Sequence, residues 1–163
     1  MKVDEGSKLR VVPAGATKTA AREKNKAREF ESFLEAHRGE RHIIVLQSFP
    51  DPDAISSAFA HKLISRRFDI ECDMAYDGCV SHHENIALIE LLELQLLRVA
   101  EDDKLDEYQG SVFIDTQGTT SGLTERLREA GVPALAIIDH HELQGVVEAQ
   151  FTDIRAEIGR AHV

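Results

Sequence analysis

Carboxylates and imidazoles follow three apolar runs of this sequence. HIIVLQS (42–48) leads into Asp51 and Asp53, SVFID ends on Asp115, and LAIID leads into histidines 140 and 141. Several carboxylates within a few ångströms cannot all stay ionised unless a cation neutralises them. Oxygen ligands with one or two imidazoles favour Mn²⁺ or Mg²⁺. The pattern therefore favours a metal site, in which two ions with a bridging carboxylate would activate water and clamp a phosphoryl group.

Each motif also has an ordinary structural explanation when it is taken alone. Asp51 in a DPD turn can cap the helix that follows, and Asp115 can begin the TQGTT turn. The two histidines can be hydrogen-bonded filler at a strand end. Three such motifs in this order, each directly after an apolar run, make separate structural explanations the weaker interpretation.

The periodicity of apolar residues predicts alternating strands and helices. The predicted strands are 42–48, 69–78, 111–117, 133–139 and 148–154, and the predicted helices are 20–37, 54–68, 84–92 and 123–131. This alternation predicts an α/β fold, a mostly parallel, Rossmann-like sheet with helices on both faces. Ligands bind beyond the carboxyl ends of strands in such a sheet, so the three motifs should meet at one edge.

Composition and charge limit the possible partners. The 163 residues are about one domain, and no apolar run approaches the ~18 residues of a membrane span, so a cytoplasmic protein without membrane contact is expected. Residues 1–41 hold ten Lys/Arg and seven Asp/Glu, a net +3, whereas residues 42–163 hold nine and twenty-two, a net −13. The negative charge of residues 42–163 argues against binding of duplex nucleic acid. It still allows binding of a small phosphorylated substrate that is held through metal ions.

Three stretches together resemble a known family. PDPDAISSA (50–58), FIDTQ (113–117) and IIDHH (137–141) look like the motifs of the DHH phosphoesterases. These include oligoribonucleases acting on very short RNA and adenosine 3′,5′-bisphosphate, cyclic-dinucleotide phosphodiesterases, the RecJ exonucleases and, more distantly, manganese pyrophosphatases. The resemblance covers residues 42–159 and implies a hydrolase with two Mn²⁺ (or Mg²⁺) ions and a small phosphorylated nucleotide or very short RNA as substrate.

The resemblance also implies a role for each motif residue. Asp51 would bind one metal and Asp53 the other, with Asp115 bridging them. His140 would complete the shell of the second metal. His141 would face the substrate phosphate, as both a catalytic and a substrate-binding residue.

Three further residues are expected to support this site. Asp139 would orient its neighbours from outside the metal shell. Ser56 and Ser57 lie in the first turn of the predicted helix 54–68, whose amide groups and positive dipole end attract an anion, so we expect them to bind substrate.

The stretch SHHENIALIELL (81–92) is similar to a segment of the oligoribonuclease-like branch. His82, His83 and Asn85 would then line the nucleotide pocket. The alternative, which we favour, is a capping box in which Ser81 caps the helix with Glu84 as its partner and leaves the two histidines exposed.

The sequence departs from the family at two points. Gln47 stands where many members have a histidine, so a weaker ligand is expected there and the first metal should be held less tightly. The fourth family motif cannot occur in a chain that stops 22 residues after His141. The ending EIGRAHV can be encoded by a sequencing-adapter oligonucleotide, so we expect a fragment of a longer protein with a non-native tail over 160–163.

These expectations define the domain organisation and two competing functions. We expect a flexible tail over 1–19, a helix within 20–39 and a partial DHH domain over 42–159, with apolar surface left exposed at the last strand. The first function is a phosphoesterase whose present chain is inactive alone. The alternative is a catalytically silent module that binds a nucleotide or a metal.

Overall fold

A computed structural model describes residues 14–118, 121–145 and 147–156 of the chain. The elements are α1 (Ala14–Ala36), β1 (Arg41–Val45), α2 (Pro52–Ser65), β2 (Glu71–Tyr76), α3 (His83–Leu91), β3 (Leu96–Arg98), β4 (Gly110–Ile114), α4 (Leu123–Glu129), β5 (Ala134–Asp139) and β6 (Phe151–Ile154). A 3-10 turn over Arg66–Phe68 extends α2.

The six strands form one sheet in the order β3-β2-β1-β4-β5-β6, and every neighbouring pair is parallel. The predicted α/β fold with a parallel, Rossmann-like sheet is therefore confirmed. The chain builds outward from β1 through β2 to β3, then returns to add β4 on the other side of β1. The order reverses between β1 and β4, and such a switch point opens a crevice at the carboxyl ends of the two strands.

Helices cover both faces of the sheet, as predicted. On one face α1 and α2 pack over the strands through a cluster that includes Leu34, Ile55 and Ile44. On the other face α4 packs through Leu127 against Phe113 of β4. The central strand β4 is buried along its whole length, which explains why it reads as a continuous apolar run.

Several element boundaries differ from the prediction, and one strand was not predicted. Helix α1 begins at Ala14 rather than at residue 20, so residues 14–19 of the predicted flexible tail are helical, as their alanine-rich composition permits. Strand β1 ends at Val45, three residues before the predicted end. Strand β3 was not predicted, because three residues at a sheet edge carry too little periodicity to be recognised. Residues 1–13 of the predicted tail and the predicted tail 160–163 lie outside the described residues.

The expected exposure of apolar surface at the last strand is wrong. Phe151 of β6 is only 3% exposed. Its ring centroid lies 5.2 Å from that of Phe30 and 5.7 Å from that of Phe33, both on α1. The N-terminal helix therefore covers the edge strand that is last in the sequence. None of the helices within the described ranges is long and apolar enough to cross a bilayer.

Candidate metal centre

The three sequence motifs meet at the carboxyl edge of the sheet because β1, β4 and β5 are neighbours and parallel. His140, directly after β5, has its Nε2 2.9 Å from Oδ1 of Asp115, directly after β4. The same nitrogen lies 3.9 Å from Oδ2 of Asp53, in the first turn of α2. Among the described residues of this cleft, the side chains whose donor atoms all lie within 4.8 Å of one another are Asp115, His140 and His141.

Asp115 is the central carboxylate, and its side chain is 6% exposed. Its Oδ1 faces His140, while its Oδ2 accepts a bond of 3.4 Å from Nε2 of Gln47. Burial, together with the negative charge of Asp51, raises the pKa of Asp115 to about 6. Its backbone is left-handed, with φ 57°, a conformation that Asp and Asn adopt more readily than most residues. A buried carboxyl group with a raised pKa has its charge incompletely compensated, which is the electrostatic condition that a bound cation relieves.

Asp51 and Gln47 take different roles from the candidate metal ligands around them. Asp51 is the N-cap of α2, and its Oδ1 accepts a bond of 2.9 Å from the amide of Ala54. The capping interpretation of the DPD turn is therefore correct, and the second carboxylate oxygen is the one that an ion would use. Asp51 lies outside the compact donor group, although its charge acts on Asp115. Gln47 donates to the carboxylate in this arrangement and does not present its carbonyl oxygen to it.

Asp139 positions the two histidines through one of its oxygens, Oδ1. Its Oδ1 accepts from the amides of His140 at 2.8 Å and His141 at 3.3 Å, and lies 2.7 Å from Nδ1 of the His141 ring. Although burial opposes it, hydrogen bonds from Gln117 and His141 hold the pKa of Asp139 below its ordinary value. The hydrogen bond between Asp139 and His141 also raises the pKa of His141. A proton on Nδ1 therefore faces Asp139, and Nε2 of His141 is left for a ligand.

Gln117 is a functional residue that the sequence interpretation missed. It is 2% exposed, and its Nε2 donates to Oδ2 of Asp139 at 2.6 Å and to the carbonyl of Glu142 at 3.0 Å. Its Oε1 accepts from the amide of Gln144 at 2.8 Å. It therefore joins the loop after β4 to the loop after β5. Gln117 lies in the FIDTQ motif, two residues after Asp115, but no role was predicted for it.

Two polar contacts hold the loops that carry the site. After β2, Asp77 accepts from the hydroxyls of Ser48 at 2.7 Å and Ser121 at 3.0 Å, which ties the β1 loop to the start of α4. Buried Asn85 donates to the carbonyl of Pro50 at 2.9 Å. Both contacts fix the backbone from which Asp51 and Asp53 project.

The predicted capping box at α3 is wrong. The N-cap residue is His82, and it makes no side-chain cap bond. Because the helix begins one residue later than that motif requires, Ser81 and Glu84 are out of register for it. His82 and His83 are exposed, as expected, and Asn85 acts on the loop rather than lining a pocket.

A cleft of about 320 Å³ opens at this edge of the sheet. Besides the carboxylates and His140 it is lined by Ser57, whereas Ser56 is exposed but does not line it. Because α2 begins at Pro52, both serines lie in its second turn and not in the first turn, where they were expected. Asp153 and Arg155 of the β6 region also line it. Arg155 is held in a bidentate pair with Asp153, through bonds of 2.8 and 2.7 Å. This cation was missed because the sequence interpretation assigned 148–154 only as a strand.

No protein-family model matches the chain. It is similar to the uncharacterized protein MJ1633 of Methanocaldococcus jannaschii, with 39% identity over 117 residues. These residues are 72% of this chain but 23% of the relative, so the chain spans less than a quarter of the length of that protein. The name of the relative states no activity, and the function must be argued from the site itself.

Proposed function

We propose that this chain forms the metal-binding part of a hydrolase that cleaves phosphate esters of small nucleotides or very short RNA. The observation that carries the proposal is the position of Asp115 at the switch point between β1 and β4. Its two carboxylate oxygens face different neighbours, Oδ1 toward His140 and Oδ2 toward Gln47. Such a carboxylate is suited to bridge two cations, as the resemblance to the DHH phosphoesterases implies.

The side chains present fit two Mn²⁺ or Mg²⁺ ions in the kind of donor atom they offer. Asp51, Asp53, Asp115 and His140 would hold the ions through carboxylate oxygens and one imidazole nitrogen. The raised pKa of Asp115, caused by burial and by Asp51, is independent support for a site that needs positive charge. Two bound cations would supply an activated water molecule and electrostatic stabilisation of the phosphoryl group.

The remaining residues of the cleft would bind and orient the substrate. Asp139 fixes the ring of His141 so that Nε2 can donate to, or accept a proton from, a phosphate oxygen. Ser57 lines the cleft from the second turn of α2, so its hydroxyl, rather than the free amides of the first turn, would contact the phosphate. Arg155 adds a positive charge at the rim of the cleft, although its pairing with Asp153 partly neutralises it.

The acidic surface supports a small substrate rather than a polymer. Residues 42–163 carry nine Lys/Arg and twenty-two Asp/Glu, so a long nucleic acid would be repelled outside the metal centre. We propose the cytoplasm as the location, since nucleotides and short RNA are turned over there. We also propose that this chain alone hydrolyses its substrate poorly, because catalysis by two metals requires a substrate that is gripped as well as activated.

A catalytically silent nucleotide- or metal-binding module is the second candidate. The specific observation in its favour is Gln47, which donates an amide hydrogen to Asp115 and provides no basic nitrogen to the site. A metal site with one weak ligand would bind its first ion loosely. Such a site can still sense a metal or a nucleotide without turnover.

The test measures Mn²⁺ binding by calorimetry and hydrolysis of adenosine 3′,5′-bisphosphate, a dinucleotide and a cyclic dinucleotide. Both are measured for this chain and for the chain joined to the remainder of the Methanocaldococcus jannaschii relative. We expect Mn²⁺ binding by the chain and hydrolysis mainly by the joined protein, with both lost in Asp53→Asn and His140→Gln and unchanged in Asp106→Asn, an exposed control. Mn²⁺ binding without hydrolysis by either protein would favour the silent module. Absence of Mn²⁺ binding by natively folded protein would refute the hydrolase, and absence of both Mn²⁺ and nucleotide binding in calorimetric titrations would refute both candidates.

A further inference from the structure

A second group of side chains that could bind a metal lies at the amino ends of the strands, on the opposite side of the sheet from the metal centre. His37 and Glu40 follow the end of α1, and His42 is the second residue of β1. Their donor atoms all lie within 4.8 Å of one another. Gln47 of the metal centre follows the end of β1 and is five residues beyond His42, which separates the two groups by roughly 13 Å or more.

The group is compact because a tight turn joins α1 to β1. The amide of Glu40 donates to the carbonyl of His37 at 3.2 Å, and Gly39 between them has φ 82°. The turn brings Nδ1 of His37 to 2.8 Å and Nε2 of His42 to 2.9 Å from the same carboxylate oxygen, Oε2 of Glu40. One oxygen thus faces two imidazole nitrogens, and a cation placed between them would have three ligands from a segment of six residues.

The hydrogen bond to the far side of His37 favours a cation at the centre. Oε1 of Gln150 lies 3.0 Å from Nε2 of His37, and an amide oxygen can only accept a proton. When Nε2 donates to that oxygen, a metal ion at the centre would be bound by the lone pair of Nδ1 and by the Glu40 carboxylate, which lie 2.8 Å apart. A histidine whose other nitrogen donates to an oxygen is the usual arrangement of a metal ligand.

The three side chains of this group differ in exposure. The side chain of His42 is fully buried, that of His37 is 12% exposed and that of Glu40 is 32% exposed. His42 is thus the most enclosed of the three proposed ligands.

We infer that His37, Glu40 and His42 form a second metal site, which takes one zinc-type cation. Two imidazoles and one carboxylate are a zinc ligand set with one position left for water. The chemistry differs from that of the carboxylate-rich centre, which favours Mn²⁺ or Mg²⁺. The bound ion would hold the end of α1 to β1 and, through Gln150, to the chain that leads into β6. Its role would be structural, because α1 covers Phe151 on that strand.

The experiment titrates the full chain with Zn²⁺ by calorimetry and with Co²⁺ by visible absorption. It uses an Asp115→Asn background, which removes the central carboxylate of the other site. We expect the protein to bind one equivalent of Zn²⁺, and we expect bound Co²⁺ to show the intense visible absorption of a four-coordinate ion. His37→Gln and Glu40→Gln should each weaken binding at least tenfold, and Gln150→Ala should weaken it roughly tenfold as the loss of an orienting partner. His83→Gln, an exposed histidine elsewhere, is the matched control and should leave binding unchanged.

A second measurement separates loss of the site from loss of the fold. His37, Glu40 and Gln150 are not buried, so circular dichroism of these variants should match the parent. Excess Zn²⁺ should raise the unfolding temperature of the Asp115→Asn protein and leave that of its His37→Gln derivative unchanged. Absence of Zn²⁺ and Co²⁺ binding by natively folded Asp115→Asn protein, or equal binding by His37→Gln and His83→Gln, would overturn the inference. Failure of Mn²⁺ binding at the other edge of the sheet would not affect it.

Discussion

Replacing Asp115 by Asn should stabilise the metal-free protein at neutral pH while it removes the central ligand of the proposed metal site. Folding raises the pKa of this carboxyl group from 3.8 to about 6, mainly through burial. The folded protein therefore holds the proton more tightly than the unfolded chain does. Ionised Asp115 destabilises the fold above pH 6, and this penalty disappears as the pH falls below 3.8.

The size of the effect follows from the pKa difference. A shift of one unit corresponds to about 1.36 kcal/mol, so a rise from 3.8 to about 6 gives a penalty of about 3 kcal/mol when the group is fully ionised. The side chain is only 6% exposed, so solvent screens little of it. Asn is neutral, nearly the same size and tolerant of the left-handed backbone at this position. The variant should thus gain stability relative to the parent as the pH rises from 4 to 8.

Urea unfolding in the presence of a chelator, followed by circular dichroism at several pH values, measures this gain. The urea midpoint of Asp115→Asn minus that of the parent should be larger at pH 8 than at pH 4. The increase should be roughly 1–3 M, because the unfolding free energy falls by ~1–3 kcal/mol per molar urea. Asp106→Asn, at an exposed carboxylate, should follow the parent at every pH. Mn²⁺ at about 100 times its Kd should raise the free energy of unfolding of the parent by about 2.7 kcal/mol and should not change that of Asp115→Asn. Parallel pH curves for the parent and Asp115→Asn would refute the argument.

Three further predictions follow from single contacts. Asp139→Asn should lower the pKa of His141 toward its ordinary value, because it removes the carboxylate that stabilises the charged ring; NMR titration measures this. Gly78→Ala should destabilise the fold by about 1–3 kcal/mol, because the added Cβ would lie 1.9 Å from the backbone oxygen of Ser48; urea unfolding measures this. Leu34→Ala should cost about 2–5 kcal/mol by the same assay, because the side chain is 1% exposed in the core under α1.

Each of these predictions has a control within the chain. The NMR signals of the exposed ring of His83 should be the same in the parent and in the Asp139 variant. Gly122→Ala should be tolerated, since its added Cβ would lie at an ordinary contact distance of 3.4 Å from its nearest neighbour. Leu91→Ala removes a side chain that is 80% exposed and should change stability little. A variant that behaved like its control would contradict the contact on which that prediction rests.

The parallel sheet and the edge at which the site lies were both predictable from local patterns. Apolar runs of five to seven residues separated by helical periods indicate βαβ units, and the handedness of these units limits how the strands can be ordered. Asp53, Asp115 and His140 each follow a strand or begin a helix, so their convergence required only that the strands be parallel and adjacent. Short β3 escaped this reasoning because three residues at a sheet edge show no period.

The pairing of atoms within the site was decided by tertiary structure. Gln117 lies next to Asp139 because β4 and β5 are adjacent, and residues 22 apart in the chain meet there in a contact of 2.6 Å. Arg155 reaches the cleft because β6 joins the edge of the sheet beside β5. The raised pKa of Asp115 depends on its burial, which no local pattern specifies.

The sequence by itself determined which segments are strands and helices and which chemical groups stand at their ends, because both are encoded by local periodicity and residue type. Tertiary structure alone decided that α1 covers β6, that the charge of Asp51 acts on Asp115, and that Gln150 meets His37. These features arise from packing between segments distant in the chain and from hydrogen bonds that select one orientation of each side chain. A pattern read along the chain contains neither.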